Sequence, residues 1–127
     1  MMNDGADKGL VLVADDERDI VELLSILLRR EGYEVVSASD GTRALELARE
    51  RRPKLCILDG AMPGMAGFEI LSALRDDERT AGTRVLILTA TVDEEREIRR
   101  HGVQPDGFVQ KPFESNALLA EVSRLVG

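Results

Sequence analysis

The segment Leu55-Cys56-Ile57-Leu58-Asp59 is a continuous apolar run that ends in a single acid. Such a run is typical of a strand that is buried on both faces, as the strands of a parallel sheet are. Four similar short runs occur elsewhere in the chain, over residues 10–14, 33–38, 85–88 and, more weakly, 108–109. The central segment and these four runs therefore predict five strands.

Helix-like stretches separate the five runs. After the first run, apolar residues recur at spacings of three and four, which marks one face of a helix, and Gly32 follows as its stop. These apolar residues are Ile20, Leu23, Leu24, Leu27 and Leu28. Similar spacing predicts three further helices, which carry Ala44, Leu45 and Ala48, then Phe68, Leu71 and Leu74, and finally Leu118, Val122 and Leu125.

One more helix, near residues 93–101, is predicted to be mostly charged, with Val92 and Ile98 as its large apolar anchors. Strand and helix stretches thus alternate along the whole chain. This alternation predicts an α/β fold, a single doubly wound five-stranded parallel sheet with helices on both faces.

Length and composition fit one small globular domain. Of the 127 residues, we expect residues 1–8 to be a flexible N-terminus and residues 9–127 to form the domain. The net charge of −7 argues against direct nucleic-acid binding, which depends on Lys and Arg. No apolar run is long enough for a signal peptide or a transmembrane helix, and Cys56 alone cannot form an internal disulfide. We therefore expect a cytoplasmic protein that does not contact a membrane.

Polar residues follow the apolar runs at four of the predicted strand ends. Asp15 and Asp16 follow the first run, Asp59 ends the third, Thr89 follows the fourth and Lys111 follows the fifth. Because such sheets bind ligands at the carboxyl ends of their strands, we expect these side chains to converge. Acids after a strand also cap helices, and for Asp15 or Asp16 taken singly that interpretation is as good. The complete set instead favours a functional site.

The chemistry that suits this set is phosphoryl transfer to a carboxylate. Clustered carboxylates bind a hard cation with oxygen ligands, such as Mg²⁺. Phosphoryl transfer needs positioning and charge neutralisation, and an aspartate can itself act as the nucleophile. The metal, Lys111 and Thr89 could each contact one phosphoryl oxygen. We therefore predict that Asp59 accepts a phosphoryl group with Mg²⁺ bound beside it.

Four segments contain these strand-end residues. They are Val11-Leu12-Val13-Ala14-Asp15-Asp16-Glu17, Leu58-Asp59-Gly60-Ala61-Met62-Pro63-Gly64-Met65-Ala66-Gly67, Leu88-Thr89-Ala90 and Lys111-Pro112-Phe113. The second segment contains the specific element D-x-x-M-P-x-x-x-G. In this order the segments resemble the receiver domains of bacterial two-component response regulators. The resemblance extends from about residue 9 to the end of the chain and implies a flavodoxin-like fold.

This resemblance implies a role for each acid. Asp59 would accept a phosphoryl group from a histidine kinase or a histidine phosphotransfer protein. Asp16 and Asp59 would ligate Mg²⁺ directly, together with the backbone carbonyl of Ala61, and Asp15 would act through a metal-bound water. The chain would catalyse only its own phosphorylation and dephosphorylation, so we do not expect an enzyme that turns over an external substrate.

The resemblance also implies a switch. The Thr89 hydroxyl would move towards the phosphate while the ring of Phe108 turns inward, and Lys111 would contact the phosphoryl oxygens. The Lys111–Pro112 peptide bond is commonly cis in this family. Ordinary strand packing is the alternative for Phe108, and a solvated loop lysine is the alternative for Lys111.

Two positions depart from the family pattern. Gly60 follows the acceptor directly, where a larger apolar residue is common, and Gly102 lies further from Lys111 than expected, which predicts a shortened fourth helix. The face formed by the stretch from Asp93 to Arg100, the fifth strand and the last helix is predicted to contact a second copy or an effector. A solvated helix face is the alternative for that charged stretch.

Two other functions compete with a signalling role. One is a Mg²⁺-dependent phosphatase with an aspartyl-phosphate intermediate, similar to haloacid dehalogenase-like enzymes. Those enzymes have a second aspartate two residues after the nucleophile, where this chain has Ala61. The other is an interaction domain that works without phosphate, which the complete set of acids, threonine and lysine disfavours.

Overall fold

A computed structural model describes residues 8–127 and arranges them in five strands and five helices. The strands are β1 (Leu10–Ala14), β2 (Glu34–Ala38), β3 (Leu55–Asp59), β4 (Arg84–Thr89) and β5 (Gly107–Gln110). The helices are α1 (Arg18–Arg30), α2 (Gly41–Arg51), α3 (Gly67–Asp76), α4 (Val92–Arg99) and α5 (Ser115–Val126). None of these helices has the length and apolar character that crossing a membrane requires.

The strands pair in parallel in one sheet, in the order β2-β1-β3-β4-β5. The chain runs outward from β1 to β2 and then returns to β3 on the other side of β1. In register, Ala14 lies beside Leu58, and Asp59 lies beside Leu88. The predicted doubly wound fold is therefore confirmed. Its ligand-binding crevice is expected where the strand order reverses, at the carboxyl ends of β1 and β3.

Alternate strand residues face opposite sides of the sheet and supply two separate cores. Leu12 and Cys56 pack with residues of α2 and α3 on one side. Val13 and Ile57 pack with residues of α1 and α5 on the other side. All five residues of β3 are buried, which explains why its sequence shows no polar alternation. Because helices cover both faces, the polar groups of the site collect at the strand ends.

The prediction for α4 was wrong in one respect. Ile98 is 2% exposed and joins the core, but Val92 is 50% exposed. The two residues are six positions apart, a spacing that does not place them on the same face of a helix. At eight residues α4 is the shortest helix of the described chain, in agreement with the predicted shortening.

The first part of the predicted flexible N-terminus, residues 1–7, lies outside the described residues. Lys8 donates its amide to the Gly32 carbonyl at 3.0 Å. Its ammonium lies 5.6 Å from the ring centroid of Tyr33. The domain boundary at residue 9 stays a prediction. Gly32 itself has a φ of 104°, a backbone conformation that favours glycine and ends α1 as expected.

Candidate functional site

Four of the predicted site residues lie at the carboxyl ends of neighbouring strands. Asp15 follows β1, Asp59 ends β3, Thr89 ends β4 and Lys111 follows β5. Asp15, Asp59 and Thr89 are 1%, 7% and 0% exposed, respectively. Few polar side chains of the described residues are buried, and three of them meet at this edge. The structure therefore brings these four residues to one place.

The Lys111 ammonium is the central cation of this edge. It lies 2.8 Å from Asp15 Oδ2, 3.1 Å from Glu17 Oε1 and 3.6 Å from Asp59 Oδ2. The Lys111 amide donates to the Thr89 carbonyl at 2.7 Å, which ties its backbone to the end of β4. The Lys111–Pro112 peptide bond is cis, as the resemblance implied. These contacts exclude the alternative of a solvated loop lysine.

The acids form a cluster that fits a divalent cation. Asp15, Asp16 and Glu17 each offer a carboxylate oxygen, and these oxygens lie within 4.8 Å of one another. Asp16 lies close enough to the carboxyl group of Asp59 to add, after burial and Asp15, to the raised pKa of that group. Oxygen donors of this kind suit a hard cation. A cleft of about 330 Å³ opens beside Asp15 and Asp16 on the β2 side, and its lining includes neither Asp59 nor Lys111.

The helix-cap alternative does not account for the two aspartates. Helix α1 has Glu17 as its N-cap, and no side-chain capping bond is made there. Asp15 Oδ1 accepts a hydrogen bond from the Glu17 amide at 2.8 Å, which shapes the turn after β1. Asp15 thus directs one oxygen into this turn and the other towards Lys111.

Burial and neighbouring charges shift the ionisation of two groups. Burial, followed by the negative charge of Asp15, raises the pKa of Asp59 to about 7, against smaller opposing effects of the Ala61 amide and Lys111. Burial alone would lower the pKa of Lys111, but its close contacts with the carboxylates of Asp15 and Glu17 raise that pKa overall. At neutral pH the site therefore combines a cationic amine with an acid that is only partly ionised.

A short loop holds the Asp59 carboxyl group in place. The Gly60 amide donates to the Leu88 carbonyl at 2.8 Å, and the Ala61 amide donates to Asp59 Oδ1 at 3.3 Å. Gly67, the last residue of the D-x-x-M-P-x-x-x-G element, packs closely on this loop. A Cβ atom on Gly67 would lie 2.8 Å from the Asp59 carbonyl oxygen, so only glycine fits there without a shift. This close approach is a physical reason for the glycine of that element.

The two predicted switch residues lie on neighbouring strands, with Phe108 of β5 beside Ile87, two residues before Thr89 in β4. Thr89 is fully buried, and its Oγ1 has no hydrogen-bond partner among the described residues. Phe108 is partly buried against the core, with the Arg99 guanidinium carbon 4.7 Å from its ring centroid. An unpaired hydroxyl at the end of β4, beside the end of β3, would suit an incoming phosphoryl oxygen. The contacts of Phe108 fit ordinary packing and a switch equally well.

Two acids at the site were not assigned from the sequence. Glu17 bonds to Lys111. Glu94 lies against Gly60, the residue after Asp59, and its Oε2 accepts from the Ala90 amide at 3.2 Å. A signal for Glu94 existed, because Thr91-x-x-Glu94 is the spacing of a capping box. The Thr91 hydroxyl does cap α4 by accepting from the Glu94 amide at 3.0 Å. The Glu94 side chain, however, bonds the amide before Thr91, which that spacing does not predict.

Comparison with known proteins gives a family match over most of the chain. Residues 11–123 match the family model described as response regulator receiver domain. The chain is 38% identical over 112 residues to the DNA-binding response regulator MtrA of Mycobacterium tuberculosis, which covers 88% of this chain and 48% of that protein. The chain therefore spans about half the length of the curated relatives it matches.

Solved structures give the same fold. The chemotaxis response regulator CheY4 of Vibrio cholerae has a TM-score of 0.84 and 35% identity, covering 91% of this chain and 97% of that one. The receiver domain of sensor histidine kinase PA1611 from Pseudomonas aeruginosa has a TM-score of 0.86, covering 94% and 98% of the two chains. That structure holds a magnesium ion in its active-site cleft, but at 23% identity it supports the fold alone.

Proposed function

Because this chain belongs to the family of response regulator receiver domains, we propose that its Asp59 accepts a phosphoryl group from a histidine kinase or a histidine phosphotransfer protein. The observation that carries the proposal is that the carboxylates of Asp15 and Asp59 both lie within 4 Å of the Lys111 ammonium. Asp15 is held by a turn and by a 2.8 Å contact with the lysine, whereas the contact of Asp59 with the lysine is longer, at 3.6 Å.

The acidic cluster is proposed to hold Mg²⁺. The carboxylates of Asp16 and Asp59 and the backbone carbonyl of Ala61 would be its protein ligands, and Asp15 would orient a water beside it. Two observations support this assignment. Carboxylate oxygens of Asp15 and Asp16 lie within 4.8 Å of each other, and Asp16 lies close to the carboxyl group of Asp59. When bound, the cation supplies positive charge against the phosphoryl oxygens.

The transfer itself needs few groups of this chain. A carboxylate oxygen of Asp59 forms a bond to phosphorus as the bond from phosphorus to the donor nitrogen breaks, and the donor keeps that electron pair. Lys111 neutralises charge on one phosphoryl oxygen, and the Thr89 hydroxyl donates to another. The reaction modifies the chain itself, so the chain is not an enzyme with an external substrate. Ala61 carries no acid or base, which disfavours the phosphatase alternative.

The output of the switch is proposed to be a protein contact. Movement of Thr89 and Phe108 would change the face formed by α4, β5 and α5, which would bind a second copy or an effector rather than nucleic acid. Helix α4 carries ion pairs within itself, such as the pair of Arg99 and Glu95 at 3.0 Å. These pairs also fit a solvated helix face, the alternative for the stretch from Asp93 to Arg100. The expected cytoplasmic location belongs to this proposal.

Incubation with acetyl phosphate and Mg²⁺, followed by intact-mass measurement, tests the proposal. We expect the mass to increase by one phosphoryl group in the unaltered chain and to stay unchanged in Asp59→Asn. Omission of Mg²⁺ should slow the reaction strongly. An equal mass increase in Asp59→Asn would show that the acceptor is a different residue, and no increase in either protein would contradict the function.

A further inference from the structure

Glu94 occupies the space that the absent side chain of Gly60 leaves open. A Cβ atom on Gly60 would collide with Glu94 Oε1 and lie 3.2 Å from Glu94 Cδ. The φ angle of Gly60 lies outside the left-handed region, so backbone conformation does not require glycine at this position. The Glu94 carboxylate packs directly against Gly60, in the space that a side chain at position 60 would take. A larger apolar residue at position 60, which is common in the family, would leave no room for this contact.

The two oxygens of the Glu94 carboxylate have different surroundings. Oε2 accepts a hydrogen bond from the Ala90 amide at 3.2 Å. Oε1 is buried and has no hydrogen-bond partner among residues 8–127. A buried carboxylate oxygen without a partner is energetically unfavourable. Helix capping does not explain the arrangement, because Thr91 already caps α4.

This carboxylate lies beside the acceptor. Asp59 pairs with Leu88 in register, and the Gly60 amide bonds the Leu88 carbonyl, so the acceptor loop lies along the end of β4. The Thr89 hydroxyl and the Ala90 amide follow Leu88 at that same end. A phosphoryl group on Asp59 brings further anionic oxygens to this edge. The Ala90 amide is a donor suited to one of them, and Glu94 already occupies it.

We infer that Glu94 is an internal competitor of the phosphoryl group, whose carboxylate occupies the position between Gly60 and the Ala90 amide until phosphorylation of Asp59 displaces it. The inference rests on the proposed function of Asp59. An aspartyl phosphate carries more negative charge than the aspartate it replaces, so it repels the Glu94 carboxylate and competes for the same amide. The contact therefore opposes phosphorylation and is broken by it.

The displacement has a consequence for α4. Glu94 lies in the first turn of this helix, between Asp93 and Glu95, and its side chain joins that turn to the acceptor loop. Loss of the contact removes this attachment of α4 to the site. The position of the helix thereby becomes dependent on the phosphorylation state through a side chain other than Thr89 or Phe108.

The initial rate of phosphorylation by acetyl phosphate at saturating Mg²⁺ tests the inference without a protein partner. Glu94→Ala removes both charge and bulk, and we expect the rate to rise about tenfold, equivalent to a barrier about 1.4 kcal/mol lower. Glu94→Gln keeps the bulk and an acceptor oxygen, and its rate should fall between those of the unaltered chain and Glu94→Ala. Asp93→Ala is the matched control: it removes the same charge from the same helical turn, where the Asp93 side chain is 91% exposed.

A second measurement detects the contact between Glu94 and the Ala90 amide before any phosphorylation. Hydrogen exchange of the Ala90 amide should be slow in the unaltered chain and in Asp93→Ala, and clearly faster in Glu94→Ala. Equal rates of phosphorylation in the unaltered chain and Glu94→Ala would overturn the inference and leave the proposed function intact, as would equal acceleration by Asp93→Ala. Absence of phosphorylation in every variant would overturn both.

Discussion

The ammonium of Lys111 lies 2.8 Å from Asp15 Oδ2 and 3.6 Å from Asp59 Oδ2, so one cation bridges the ends of β1 and β3. The buried carboxylates of Asp15 and Asp59 repel each other, and the positive charge of the lysine offsets part of that repulsion. The bridge holds the acceptor and the neighbouring acid together in the metal-free chain. The same amine is the proposed contact for a phosphoryl oxygen.

Removal of the bridging cation is therefore expected to destabilise the fold. In Lys111→Met the carboxylates of Asp15 and Asp59 lose their partner, which should lower the free energy of unfolding by roughly 2–3 kcal/mol at neutral pH without Mg²⁺. Urea denaturation measures this change. Lys111→Arg, which keeps the charge, should retain most of the stability, and equal losses in both variants would indicate that packing rather than charge is responsible.

The raised pKa of Asp59, about 7, predicts how stability depends on pH in the metal-free chain. The folded state binds a proton more readily than the unfolded state, whose carboxyl pKa is about 3.9. The contribution of this group is therefore fully present below about pH 4 and is lost as pH rises through about 7. In Asp59→Asn this decline should be absent, and thermal unfolding across that pH range compares the two proteins. Parallel pH profiles would contradict the assigned pKa.

Mg²⁺ is expected to stabilise the chain most where Asp59 is ionised. We expect a larger rise in Tm on adding Mg²⁺ at about pH 8 than at about pH 5, because a protonated carboxyl group is a poor metal ligand. Chelation with EDTA should reverse the rise. Asp16→Asn should reduce the effect at both pH values, and an unchanged response in this variant would remove Asp16 from the proposed ligands.

Gly67 supports the acceptor loop by its lack of a side chain. In Gly67→Ala the added Cβ atom would lie 2.8 Å from the Asp59 carbonyl oxygen. The resulting overpacking should cost about 1–3 kcal/mol in the free energy of unfolding. Gly82→Ala is the matched control, since a Cβ atom there meets nothing within 4 Å. It should leave stability unchanged or raise it by about 0.4–1 kcal/mol. Similar losses in both variants would mean that close packing is not the cause.

The switch proposed for Thr89 can be separated from phosphorylation itself. Thr89→Ala should still accept a phosphoryl group, but the NMR signals of the Phe108 ring should no longer change when it does. Thr89→Ser keeps the hydroxyl and should preserve the response. If the Phe108 signals never change in the unaltered chain, its ring has a packing role only, which is the alternative that the sequence left open.

The sequence by itself determined the fold and the main site residues. Five apolar runs of strand length, separated by helical spacing, admit few arrangements other than a parallel sheet covered on both faces. Once the sheet is parallel, its carboxyl ends must lie at one edge. The acids after β1 and β3, Thr89 and Lys111 were therefore predictable from their places in the chain.

Only the tertiary structure decided which groups touch at that edge. The contacts of Lys111 with Glu17 and of Glu94 with Gly60 join residues far apart in the chain, and no local pattern encodes them. Val92 failed as an anchor for a related reason, since its burial depends on how α4 is turned against the sheet. Periodicity is a property of neighbouring residues, whereas the partner of a side chain depends on the packing of whole elements.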